Sequence, residues 1–185
     1  MTTKFFLTMT KYFYWLLLSV LLIGCSSNTH NEDGFEKEEV SNQEEVTPQT
    51  LELLDLEGNT IALDELEGKA VFLNLWATWC RPCIAEMPSI EEAYRELKDD
   101  GYVFLAASYE DPEKIREFAS KQNFTFPFVH LKSNMQALGV QSIPTTYIYN
   151  QSGEVVARII GSREWDSPEI MAKLQEWKTA ETGQE

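Results

Sequence analysis

Two cysteines, Cys80 and Cys83, stand three residues apart in the stretch NLWATWCRPCIAEMP, residues 74–88. The apolar run KAVFLNLWA precedes them, and a helix-compatible stretch runs from Pro82 to about Leu97. The pair thus sits where a strand hands over to a helix. Residues three apart on a first helical turn share a face, close enough for a disulfide. The ring so closed holds four residues, so it restrains the unfolded chain little compared with a bridge across a long loop. Such a bridge suits opening and closing better than stapling. Cys80 would meet the unpaired N–H groups and positive dipole end of the helix, which stabilise a thiolate, and Arg81 adds a positive charge. Cys80 is therefore the expected nucleophile on a partner disulfide, and Cys83 the expected resolving thiol. Trp79 offers a flat apolar surface or else fills core. Pro82 preorganises the helix start.

Other uses of the pair fit less well. Structural zinc sites take four ligands, and beyond this pair the chain holds only Cys25, His30 and His130. No metal site is expected. A cysteine hydrolase needs a partner histidine. His130 lies in the strand-like segment FPFVHL and reads as a partly exposed strand residue.

The compartment decides whether such a pair cycles or stays reduced. Residues 1–24 carry Lys4 and Lys11, no acid, and then the twelve-residue apolar run YFYWLLLSVLLI. This has the form of a signal peptide, too short for a span of about 20 apolar residues. Leu22-Ile23-Gly24-Cys25 resembles a bacterial lipobox, which implies cleavage before Cys25 and lipidation of its thiol. Acyl chains would then hold the protein at a membrane. Residues 25–49 read as an acidic flexible tether: residues 26–48 hold seven acids and one lysine, too little apolar matter for a core. A single globular domain is expected over 50–178, with a tail over 179–185. The formal charge of −15 and the lack of any Lys/Arg cluster argue against nucleic-acid partners.

Within that domain TLELLDLEGNTIALDEL reads as two short strands about a turn at 57–59. YVFLAASY is a second buried strand. Asp111-Pro112-Glu113 opens a helix to about Gln122. TTYIYN and EVVARIIG form a hairpin, and Ser167-Pro168-Glu169 starts a last helix. The order β-β, β-α-β-α, β-β-α is an α/β arrangement with a central sheet flanked by helices. Ile84, Met87, Ile90, Glu91, Tyr94 and Leu97 show helical spacing, and Pro88 should kink that helix.

With Trp79, Cys80, Cys83, Pro88 and Ile143-Pro144-Thr145 in this element order, the chain resembles the thioredoxin superfamily. Within it, the chain is similar to the extracytoplasmic TlpA/ResA-like thiol–disulfide reductases. The resemblance covers about Thr50 to Lys178. It implies a thioredoxin fold, with a mixed sheet and an extra N-terminal β-hairpin, and a cis bond before Pro144. Ile143, Pro144 and Thr145 would then border the cysteines and hold substrate backbone, beside Trp79. Gly161 fits the glycine after the last strand. Asn74 stands where ordinary thioredoxins have a buried aspartate, and Glu86 where the ResA-like branch has a glutamate. A buried carboxyl there could accept the Cys83 proton, its pKa raised by desolvation; a solvated helix surface is the plainer reading. Glu110 either lines the site or solvates a loop.

The resemblance further implies a reductase of disulfides in exported proteins such as apocytochrome c. It would be recharged by a membrane electron donor, need no cofactor, and work outside the cytoplasm on a bacterial membrane. The alternatives are a disulfide oxidase or isomerase, and a redox-inactive peptide-binding lipoprotein. Oxidases of that type usually carry a helical insertion, for which 111–128 leaves no room. The intact cysteine pair argues against the lipoprotein. A thiol peroxidase would place Pro-x-x-x-Thr-x-x-Cys at its site, and NLWATWC lacks that proline.

Overall fold

The computed structural model describes residues 51–136 and 138–180. The expected signal peptide, the lipidation candidate Cys25, the expected tether and most of the expected tail lie outside these residues. Among the described residues, seven strands form one sheet in the order β2-β1-β5-β4-β3-β6-β7. They are β1 (Leu53–Leu54), β2 (Thr60–Ile61), β3 (Ala70–Leu75), β4 (Tyr102–Ser108), β5 (Phe128–Leu131), β6 (Thr145–Tyr149) and β7 (Val155–Ile160). The helices are α1 (Arg81–Leu97), α2 (Pro112–Ser120) and α3 (Pro168–Trp177).

The sheet is mixed. β3 pairs parallel with β4, and β4 with β5, while β6 lies antiparallel to both β3 and β7. β3 is central and every one of its residues is buried, as expected of an unbroken apolar run covered on both faces. Val71, Leu73 and Leu75 point into a cluster with Leu53, Leu105, Val129, Leu131, Tyr147 and Tyr149. Alternation sends Phe72 and Asn74 to the other face. There Phe72 stacks on Phe104 at 4.5 Å, and the Tyr94 ring of α1 meets Phe104 edge-on. The Tyr102 hydroxyl donates to the Leu174 carbonyl at 2.6 Å, tying α3 to the same face.

The N-terminal hairpin forms as expected, but its turn sits one residue earlier. Asp55 Oδ1 accepts from the N–H groups of Glu57 and Asn59, and Gly58 takes φ +92°, a left-handed turn that glycine adopts without strain. The segment after β2, expected to continue as strand, instead winds into a 3-10 turn over Leu63–Leu66. β5 lies in the strand-like segment FPFVHL, which the element order above leaves out. Four residues behind Pro127 carry little periodic signal. Yet β5 pairs with β4 on one side and β1 on the other, so it is what joins the hairpin to the sheet.

Helix α1 runs on through Pro88 to Leu97. Its buried stripe differs from the apolar spacing: Ile84 and Tyr94 are half-buried, whereas Glu86 and Glu91 are buried. Both carboxylates find donors. Glu91 accepts from the Thr125 N–H and hydroxyl, each at 2.7 Å, and Arg95 pairs with it at 2.9 Å. Burial pushes its carboxyl up, but these bonds outweigh that and hold it below the ordinary value. Helices α2 and α3 start on Asp111 and Ser167 caps, each followed by proline. α2 ends at Ser120, two residues short of the expected Gln122.

Candidate active site

The cysteine pair sits at the carboxyl end of the central strand. β3 ends at Leu75, and residues 76–79 lead to Cys80, the N-cap of α1. Pro82, in the first turn, has no N–H to leave unpaired. Cys80 and Cys83 form a disulfide with Cα atoms 5.3 Å apart, and the Cys83 N–H donates to Cys80 Sγ at 3.3 Å. A sulfur that already receives a helix-start amide is placed to carry negative charge once reduced. Cys80 is 3% exposed and Cys83 fully buried. Trp79 is 61% exposed, so it lies on the surface beside Cys80 and fills no core.

The same end of the sheet holds the proline loop. Leu75 of β3 pairs with Thr145, the first residue of β6, so Ile143-Pro144 enters beside the strand that feeds Cys80. The Ile143–Pro144 bond is cis. Ile143 is half-buried, while Pro144 and Thr145 are buried. The Thr145 hydroxyl donates to the Ser142 carbonyl at 2.7 Å, and the Gly161 N–H donates to the Pro144 carbonyl at 2.8 Å. Gly161 manages this at φ +85°, where a side chain would strain the backbone.

Glu86 lies one helical turn beyond Cys83 and is 3% exposed. It is therefore no solvated surface residue. Asn74 Nδ2 donates to its Oε1 at 2.9 Å, while the Arg163 N–H and Trp165 Nε1 donate to its Oε2, each at 3.0 Å. Asn74 Nδ2 also donates to Thr146 Oγ1 at 2.9 Å. Ser89, on the next turn, donates to the Arg163 carbonyl and accepts from the Trp165 N–H. Sequence reasoning missed Arg163, Trp165, Thr146 and Ser89 as partners. The one signal for them is a tryptophan in the polar stretch SREWDSP.

Desolvation pushes the Glu86 carboxyl above its ordinary value of 4.5, against the opposing pull of its three donors. The folded chain thus holds this proton more tightly than the unfolded chain. The contribution to stability is fully present below pH 4.5 and is lost as pH rises through the raised value. Glu86→Gln removes the titration. The glutamine oxygen can take the two donors on the Oε2 side. A flip of the Asn74 amide then lets its oxygen accept from the new NH2. We expect the stability difference, variant minus wild type, to grow as pH rises above 4.5, read as chemical-denaturation midpoints from pH 4 to 8. A difference that stays flat would show that Glu86 does not titrate in that window.

Glu110 does not solvate its loop. It is buried and grips Thr78. His130 is a half-buried strand residue whose Nδ1–H donates to the Glu110 carbonyl at 3.0 Å.

A family model described as AhpC/TSA family matches residues 45–158. The chain belongs to that family. The thiol-disulfide oxidoreductase ResA of Halalkalibacterium halodurans is 43% identical over 107 residues, which covers 56% of this chain and 61% of the relative. A protein of the same name from Bacillus thuringiensis subsp. konkukian is 30% identical over 151 residues, 80% of this chain and 87% of the relative. The chain thus spans about three-fifths of the first relative and most of the second. Among solved structures, the exposed lipoprotein thioredoxin Etrx1 of Streptococcus pneumoniae superposes with a TM-score of 0.59 at 28% identity, covering 68% of this chain and 97% of that one. This AhpC/TSA-family chain therefore has the thioredoxin fold, extended by the β1–β2 hairpin.

Proposed function

We propose that the chain is an extracytoplasmic thiol–disulfide oxidoreductase that reduces disulfides in exported proteins, with Cys80 as nucleophile and Cys83 as resolving thiol. The observation that carries this reading is the placement of Cys80 Sγ at a helix start, receiving the Cys83 N–H and bonded to Cys83. The relatives named thiol-disulfide oxidoreductase support it.

In the reduced protein the Cys80 thiolate attacks one sulfur of a substrate disulfide. A bond forms between Cys80 and that sulfur, the substrate S–S bond breaks, and the other sulfur leaves as a thiolate that takes up a proton. Cys83 gives up its proton, with Glu86 as the proposed acceptor, and attacks Cys80 Sγ. The mixed disulfide breaks, the second substrate thiol departs, and the Cys80–Cys83 disulfide remains. Two electrons have passed to the substrate, and a membrane electron donor must return two. Trp79 and the Ile143-Pro144-Thr145 loop are the proposed walls for the substrate segment. Apocytochrome c is the substrate to try first. In this reading Cys25 carries a lipid that holds the protein on a bacterial membrane, which raises its effective concentration near the donor. The signal-like residues 1–24 and the similarity to an exposed lipoprotein support export.

Cys83→Ser tests the scheme, because the first exchange can occur but not the second. Reduced Cys83→Ser mixed with a disulfide-bearing exported protein should accumulate a covalent adduct at Cys80, seen on a non-reducing gel and released by dithiothreitol. If Cys80 alkylates readily in this variant yet captures no partner, the resolving role of Cys83 is wrong.

A further inference from the structure

Residues 76–79 form the turn that delivers Cys80 to its helix, and it is held both from within and from β4. The Trp76 N–H donates to the Ala107 carbonyl at 3.1 Å, and the Cys80 N–H to the Ala77 carbonyl at 3.0 Å. Between them, Thr78 places both of its donors on one carboxylate. Its N–H reaches Glu110 Oε2 at 2.6 Å and its hydroxyl reaches Glu110 Oε1 at 3.0 Å. Two parallel bonds to a charged acceptor fix rotation as well as position.

Glu110 is itself held from three sides. It follows β4, and its N–H donates to Ser108 Oγ at 3.3 Å. Lys114 of α2 pairs with its Oε1. His130 of β5 donates to its carbonyl. At 8% exposure burial raises its pKa, but the Lys114 and Thr78 bonds outweigh that and leave it below 4.5. It is a charged, well-held anchor for Thr78, which stands two residues before the nucleophile.

We infer that Glu110 is a positioning residue: through Thr78 it sets the orientation of the 76–79 turn, and with it the alignment of Cys80 Sγ over the first amides of α1. This rests on the redox reading of the cysteine pair. Glu110 touches neither sulfur nor substrate in this role.

The test is the pH dependence of Cys80 alkylation in protein reduced with dithiothreitol, for wild type, Glu110→Ala, Thr78→Val and Glu110→Gln. Loss of a negative charge alone would move the thiol midpoint down. Loss of alignment with the helix amides moves it up. In Glu110→Ala we expect a rise of about half to one pH unit, and a fall in kcat for insulin-disulfide reduction of roughly tenfold with little change in KM. Thr78→Val, which leaves the Glu110–Lys114 pair in place, should shift the midpoint the same way by less. Glu110→Gln should bring the midpoint back close to wild type, because the amide oxygen can accept from the Thr78 N–H while its NH2 donates to the hydroxyl. An unchanged or lowered midpoint in both Glu110→Ala and Thr78→Val overturns the inference, as does a Gln variant displaced as far as Ala. Should Glu110→Ala fail to fold, Thr78→Val decides alone. The midpoint needs no substrate, so a wild type unable to reduce insulin would sink the proposed activity and leave this inference to the alkylation data.

Discussion

Cys80→Ser should leave no measurable insulin-disulfide reduction, a loss of at least about a thousandfold. A serine hydroxyl at a helix start is not deprotonated near neutral pH, and its oxygen cannot hold a partner sulfur in an exchangeable bond. No electron pair can pass, whatever the alignment of the rest of the site. The loss is specific to the chemistry. The four-residue ring contributes only about 2 kcal/mol by loop-closure entropy, against nearly 5 for a hundred-residue loop. The variant should therefore stay folded, with circular dichroism and monomer elution matching the reduced wild type. Turnover of insulin by folded Cys80→Ser at even a tenth of the wild-type rate would refute the nucleophile assignment. Cys83→Ser also stops turnover, but it captures partners where Cys80→Ser does not. That contrast assigns the order of the two sulfurs.

Trp165→Ala should be the most damaging single change to stability. Trp165 is fully buried, its ring meets Phe72 edge-on at 4.7 Å, and its Nε1–H serves the buried Glu86 carboxylate at 3.0 Å. Truncating a buried aromatic ring costs about 3–5 kcal/mol through lost transfer energy and the cavity left behind. Stripping a donor from a buried carboxyl acceptor adds to that. Against a total of about 5–15 kcal/mol for a domain, this brings the fold close to its limit. The midpoint of guanidinium unfolding should fall accordingly, and a loss under about 1 kcal/mol would mean that the ring is not a core element. Trp165→Phe separates the two contributions. It keeps ring contact with Phe72 and removes only the donor, so its cost should be smaller. That cost should also diminish when Glu86 is already glutamine, because the two changes touch one hydrogen bond.

What could be read without coordinates was local. Cys80, Pro82 and Cys83 announce a helix start with two sulfurs on one face, because cap chemistry and helical spacing act within four residues. The Pro112 and Pro168 helix starts are legible for the same reason. The cis bond before Pro144 came from resemblance, since nothing within that tripeptide sets the isomer.

The polar interior was not legible. Glu86 on a helix otherwise spaced for apolar contact reads by itself as surface, and only the resemblance turns it toward the site. The choice fell to Asn74, Arg163 and Trp165, which lie 12, 77 and 79 residues away and supply its donors. Glu110 reads as a loop charge until β4 is laid beside β3, which brings it under Thr78 across 32 residues. β5 is too short to show a period, and it becomes a strand because β1 and β4 leave a slot between them. Amino-acid order alone thus put two sulfurs within bonding distance at a helix start, since that depends on groups a turn apart. Only the folded sheet decided which carboxylates are taken out of water and what they hold, because burial and donor supply are made by segments that meet in space and not along the chain.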